Sequence, residues 1–138
     1  MGESDCVFCK MVSGQIPVTR IYEDETVLAF LDIAPLSDGH TLVIPKQHFA
    51  QAHECQGDVL GKVASSLAKV AKAVVTGMNA DGYNILCNNG RAANQLVEHL
   101  HFHIVPRKSG DGVFDRWPSY QYRQGRMAEV AAKIKKNL

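Results

Sequence analysis

The stretch EHLHFHIVPR, residues 98–107, alternates imidazole with hydrocarbon. His99, His101 and His103 fall within five residues, with Leu100 and Phe102 between them and Ile104 after. Successive side chains of a β-strand point to opposite faces. The alternation therefore predicts a strand with Leu100, Phe102 and Ile104 toward a core and all three histidines on the other face. Same-face neighbours would stand about 6.5–7 Å apart. A helical reading gives the pattern no single face. A merely solvated face would more naturally carry Thr, Lys or Glu. The row thus points to chemistry, either metal ligation or nucleophilic and acid–base work.

The rest of the chain sets bounds on that chemistry. A length of 138 residues suits a single domain over residues 1–138 with one core. A formal net charge of +1 implies no polyanion partner, so no nucleic acid polymer is expected. No apolar run reaches the length of a membrane span, and the start MGESDCVFCK lacks an apolar signal core. The Met-Gly start has Cys6 where a myristoylation signal would carry Ser or Thr. A cytoplasmic protein with reduced cysteines is the expectation. Cys87, in YNILC, reads as a buried, inert thiol in a core strand.

Outward from the histidine row, β-like stretches lie near 18–22 and 26–32, separated by the turn-like EDE, and at 41–45 (TLVIP). Residues 57–77 carry Val59, Leu60, Val63, Leu67, Val70 and Val74 at helical spacing, with Asp58 as a candidate cap and Gly77 at the end. YNILC is a further strand and NNGRAANQ a polar loop. Residues 107–123 read as a long loop, whose Trp117 is a candidate for reaching an active site. Residues 124–138 read as a terminal helix with Met127, Val130, Ala131 and Ile134 on one side. Several strands precede the first long helix and two follow it. This order favours an α+β fold with an antiparallel sheet over a doubly wound one.

The segment HLHFHI resembles the motif of the histidine triad (HIT) family. CVFCKMVSGQIP, AFLDIAPLSDGHTLVIPKQH and GYNILCNNG resemble the corresponding family segments, in family order. The likeness covers roughly residues 5–107 and is nearest to the small single-domain hydrolases of nucleoside phosphoramidates and dinucleoside polyphosphates. A related transferase branch carries Gln at the third histidine, and His103 speaks against it. The resemblance implies a five-stranded antiparallel sheet with two helices, and a homodimer whose sheets join across the interface.

It also implies roles. His101 would be the nucleophile, attacking the α-phosphorus of a nucleotide to give a nucleotidyl-histidine that water then releases. His103 would bind phosphate oxygen, and His40 would lie against the triad and orient it. Asp32 would accept hydrogen bonds from the ribose hydroxyls. Val7, Phe8, Met11, Ile16 and Leu42 would form the apolar slot for the base. Asn88 would contact phosphate, Gln95 matches a family glutamine beside the site, and Arg91 is an additional phosphate candidate. Two positions depart from the pattern. Leu96 stands where the family has Ser or Thr, whose hydroxyl helps the leaving group. Asn94 stands where the family prefers Gly, a change that a left-handed backbone tolerates.

The Cys-x-x-Cys of Cys6 and Cys9 supplies half of a structural zinc site. A thioredoxin-like redox site would need a preceding strand, and only five residues precede Cys6. By resemblance, His48 and His99 complete the ligand set, giving one structural zinc per chain and no organic cofactor. Two further readings remain open. One is a nucleotide-binding regulatory protein with slow or no turnover, favoured by Leu96. The other is a zinc hydrolase using the histidines as ligands, which on sequence has only Glu98 as a nearby carboxylate, on the opposite strand face.

Overall fold

The structure is a computed structural model that describes residues 3–114 and 117–138. Its centre is an antiparallel sheet of five strands: β1 (Arg20–Glu23), β2 (Val27–Leu31), β3 (Thr41–Pro45), β4 (Gly82–Leu86) and β5 (Phe102–Arg107). Their order across the sheet is β1-β2-β3-β5-β4. VLAFL is an unbroken apolar run, and TLVIP is apolar after a fully buried Thr41, because β2 and β3 are interior strands covered on both faces. Val27, Ala29 and Val43 face one cluster with Ile104; Leu28, Phe30, Leu42 and Ile44 face another. The edge strands β1 and β4 instead alternate or stay exposed.

The first face is covered by helix α2 (Gly57–Gly77), whose Val59, Val63, Ser66, Leu67, Val70, Ala71 and Val74 are buried. Its start differs from the expected one. Gln56 occupies the N-cap position without a side-chain bond, and Asp58 sits inside the first turn. There its charge favours the positive helix end instead of capping it. The second face is covered by α1 (Val7–Val12), a short helix capped by the Cys6 sulfur, which accepts from the Cys9 N–H. At six residues it is too short to show helical periodicity in the sequence.

Helix α3 (Arg126–Lys135) buries no residue, and its apolar side is open, with Met127 64% and Ile134 59% exposed. Residues 115–116 of the expected 107–123 loop, and the Met1-Gly2 start, lie outside the described residues. Trp117 in that loop is 83% exposed. Cys87 is half-buried at the end of β4, where the Asn89 amide meets its sulfur, so it is not the fully buried core thiol expected. No described helix is long and apolar enough to cross a membrane.

Candidate active site and metal centre

The regular strand of the histidine row begins at Phe102, and residues 99–101 lead into it. The predicted alternation nevertheless holds. Leu100, Phe102 and Ile104 pack toward the α2 side. His99 and His101 meet the ring of Phe8 from α1, the latter edge-on at 5.1 Å between centroids. The His101 and His103 rings lie 5.0 Å apart. Three histidines share a face, but their hydrogen bonds divide them into two functional groups.

The nitrogen assignments follow from the donors around each ring. The Leu36 N–H donates to His40 Nδ1 at 3.0 Å. His40 Nε2 must then carry a proton, and it donates to His103 Nδ1 at 2.9 Å. That leaves the proton of His103 on Nε2. This atom is buried, and among the described residues it has no hydrogen-bond partner. An unmet buried donor is costly, and here it is a ready donor to an anionic oxygen. His101 Nδ1 donates to the carbonyl of His99 at 2.7 Å, so the lone pair of His101 sits on Nε2. Burial lowers the pKa of His40 and of His101, and lowers that of His103 to about 4, with His101 and His40 adding to the last. All three rings are neutral at pH 7.

His40 reaches this position through a tight turn. Gly39 before it has φ +92, and a Cβ there would stand 2.6 Å from the Met78 side chain. The Asp32 N–H donates to the His40 carbonyl, and Asp32 Oδ2 is 3.7 Å from His40 Nε2. A carboxylate other than Glu98 therefore does lie beside the triad. Asp32, His40 and His103 even have ligating atoms within 4.8 Å of one another. Within this group His40 Nε2 and His103 Nδ1 are engaged with each other by their hydrogen bond.

Asp32, His101 and His103 open onto one cleft of about 360 Å³. Val7, Phe8, Met11, Ile16 and Leu42 line it too, so all five residues expected to form an apolar slot are brought together. Pro17, Val18, Phe30, Ile33 and Val97 complete much of the wall and were not placed there by sequence, while Asn94 and Leu96, the two departures from the family pattern, line it as well. Asn94 has φ +66, the left-handed backbone expected of it.

Gln95 and Asn88 are placed differently from the reading given them. Gln95 is 4% exposed, accepts the Gly90 N–H at 2.7 Å and donates to the Ala50 carbonyl at 2.6 Å. Both ends of its amide are engaged within the chain, so it clamps the 88–95 loop instead of offering its amide to a ligand. Asn88 makes only a 3.5 Å contact to the Asn94 carbonyl and does not line the cleft. Asn89 was missed: its Oδ1 accepts the Ala52 N–H at 2.7 Å, a second tie of that loop. Arg91 is exposed beside Gln95, Leu96 and Glu98, outside the cleft.

Cys6, Cys9, His48 and His99 form a separate cluster, with ligating atoms all within 4.8 Å of one another. His48 Nδ1 and His99 Nδ1 are 3.2 Å apart, and sulfur–nitrogen distances are 3.4–3.6 Å. A tetrahedral zinc with bonds of about 2.3 Å to sulfur and 2.0–2.1 Å to nitrogen requires roughly 3.3 and 3.6 Å for these separations. His99 Nε2 donates to the Pro45 carbonyl at 2.8 Å, which leaves the Nδ1 lone pair facing the cluster. Burial lowers the pKa of His99 to about 4, so the ring is neutral and able to ligate. Burial and the neighbouring Cys6 raise the Cys9 thiol to about 12, a bias toward the protonated form that a dication would reverse. The donor set fits zinc.

The neutral, half-buried His103 predicts a pH effect on stability. Its folded pKa of about 4 lies below the ordinary 6.5, so the unfolded chain takes up the proton first. Stability is complete above 6.5 and declines as pH falls toward 4. Discounted for partial exposure, the loss between pH 7 and 5 is about 1–2 kcal/mol. Urea unfolding at both pH values, with zinc saturating, should show that His103→Gln loses less stability than the wild type over this interval. Equal losses would refute the assignment.

Comparison with known proteins places the chain. Residues 13–110 match the model of the HIT domain. A Schizosaccharomyces pombe adenosine 5′-monophosphoramidase is 43% identical, over 94% of this chain and 98% of its own. An Arabidopsis thaliana adenylylsulfatase is 40% identical over 88% of this chain, which spans 60% of that longer protein. The crystal structure of a zinc-bound histidine triad protein from Mycobacterium smegmatis superposes with a TM-score of 0.77 at 41% identity, covering 99% of this chain and 100% of the other. The chain belongs to the HIT family, and the five-stranded antiparallel sheet is the fold expected of it.

Proposed function

We propose that this chain, acting as one domain, hydrolyses nucleotides at the α-phosphate through a nucleotidyl-histidine on His101. The observation that carries the reading is the pairing of His101 Nε2, left with a free lone pair by the His99 carbonyl, with the unpartnered N–H of His103 Nε2 in the same cleft. His101 Nε2 attacks phosphorus, an N–P bond forms, and the bond to the leaving group breaks with its electron pair. Water then attacks phosphorus, and the N–P bond returns its pair to His101. His103 donates to a phosphoryl oxygen, held in place by His40. Asp32 takes the ribose hydroxyls, and the slot of Val7, Phe8, Met11, Ile16 and Leu42 takes the base, a purine in this reading. The names of the relatives support P–N and P–O linkages of adenosine nucleotides as substrates; dinucleoside polyphosphates are included in the proposal. Turnover assays with adenosine phosphoramidate and diadenosine polyphosphates test it. A second reading, nucleotide binding with little turnover, draws on Leu96, and tight AMP binding without hydrolysis of either substrate would favour it.

The proposal includes one zinc per chain, held by Cys6, Cys9, His48 and His99, where it would fasten α1 to the segment that leads into β5. It also includes a cytoplasmic location and a homodimer. The outer edge of β4 carries no strand among the described residues, and Tyr83 and Ile85 are 49% and 43% exposed along it. An open apolar edge is a template for pairing with a second copy. Light scattering at micromolar concentration should give twice the 15.2 kDa chain mass, reduced toward one chain in Ile85→Lys. A monomeric wild type would count against the dimer.

A further inference from the structure

The cleft holds several hydrophobic walls but few groups that could give up a proton. Among its described lining residues there is no hydroxyl, ammonium or guanidinium group. Its polar side chains are Asp32, Asn94, His101 and His103. The His101 Nδ1 proton is engaged by the His99 carbonyl. The Nε2–H of His103 belongs to a neutral imidazole, a hydrogen-bond donor but a weak acid.

The direction of departure is fixed by the attack. The nucleophile and leaving group lie roughly in line at phosphorus. With His101 5% exposed at the bottom and the base in the apolar slot, the leaving group points outward. The wall residue next to the Gln95 clamp on this outer side is Leu96, 90% exposed. The clamp fixes the backbone that carries it, from Gly90 to Ala50. Departure therefore takes place beside hydrocarbon.

Two classes of nucleotide differ in what this requires. When a P–N bond breaks, nitrogen keeps the electron pair and must gain a proton to leave as an amine. When the P–O bond of an anhydride breaks, oxygen keeps the pair and leaves as carboxylate, sulfate or phosphate without one. Resting on the function proposed above, we propose that Leu96 sets the leaving-group preference, so that this chain favours nucleotidyl anhydrides with anionic oxygen leaving groups over phosphoramidates. Leu96 acts by withholding a proton donor, and the substrate class follows from that absence.

The test uses the full-length, zinc-loaded protein with adenosine phosphoramidates of graded amine basicity. Adenylyl sulfate and the mixed anhydride of AMP with acetate serve as comparison substrates, each rate divided by its uncatalysed rate. In the wild type, single-turnover rates should fall steeply with amine basicity, and the anhydrides should show the larger acceleration. Leu96→Ser should shift the phosphoramidate-to-anhydride ratio by about 10²-fold toward phosphoramidate, the lower end of general-acid contributions. Leu96→Ala, which removes the hydrocarbon without adding a hydroxyl, should leave that ratio near the wild-type value. Leu96 is exposed, so both variants should fold. An equal change for the two classes in Leu96→Ser, or the same shift in Leu96→Ala, overturns the inference while leaving the His101 adduct intact. Absence of an adduct and of turnover with every substrate overturns the proposed function, and this inference with it.

Discussion

His101→Ala is expected to lower turnover by at least about 10⁴-fold while nucleotide affinity stays within about threefold, because the covalent path is lost and acid–base assistance alone contributes typically 10²–10⁴. In the proposed mode, base, ribose and phosphate contacts would come from the apolar slot, Asp32 and His103, all on other parts of the cleft wall. Rapid quench of the wild type with labelled nucleotide should trap a phosphoramidate on His101, stable to base and labile to acid. The variant should trap none. His103→Gln should behave differently, retaining an adduct that forms slowly. A His101→Ala protein that turns over at the wild-type rate would remove the middle histidine from the mechanism.

Removal of the metal is expected to have the largest effect on stability. Protein purified without chelator, with its thiols reduced, should contain about one zinc per chain. Cys6 is fully buried, and Cys6→Ser should abolish stoichiometric zinc and lower the melting temperature by about 10 °C or more, since metal binding free energy is also folding free energy. His99→Ala should follow the same course, losing metal and stability first and activity only as a result. A chelator added to the wild type should reproduce the stability loss, and zinc should reverse it. Metal-free wild-type protein that melts at the same temperature as zinc-loaded protein would refute a structural zinc.

Much of the sheet was legible because burial on both faces makes β2 and β3 nearly continuous apolar runs, and because the histidine row alternates with period two. Helix α2 was legible for the analogous reason, a buried stripe repeating at three and four residues. What escaped was set by tertiary partners. Nothing near Asn89 or Gln95 in the chain indicates that their amides reach residues 50–52. The carboxylate of Asp32 comes beside His40 only because the two flank a turn closed by Gly39. The cysteine pair was visible locally, but its histidines lie 39 and 93 residues away and entered through family resemblance. Asn88 was assigned a role by position in a motif, while the loop's actual ties run through its neighbours.

The contact between Cys6 and His99 has a consequence for how the chain comes into being. It spans 93 residues, and closing a loop of that length costs on the order of 4 kcal/mol beyond a constant. Synthesis runs from the N-terminus at about 5–20 residues per second, so Cys6 is made roughly 5–20 s before His99 exists. Throughout that interval Phe8 has neither His99 nor His101 to pack beside, and the cysteines have one histidine ligand at most. The first residues made are thus among the last to be placed. A nascent chain halted before residue 99 would lack both histidines of the cleft, His101 and His103.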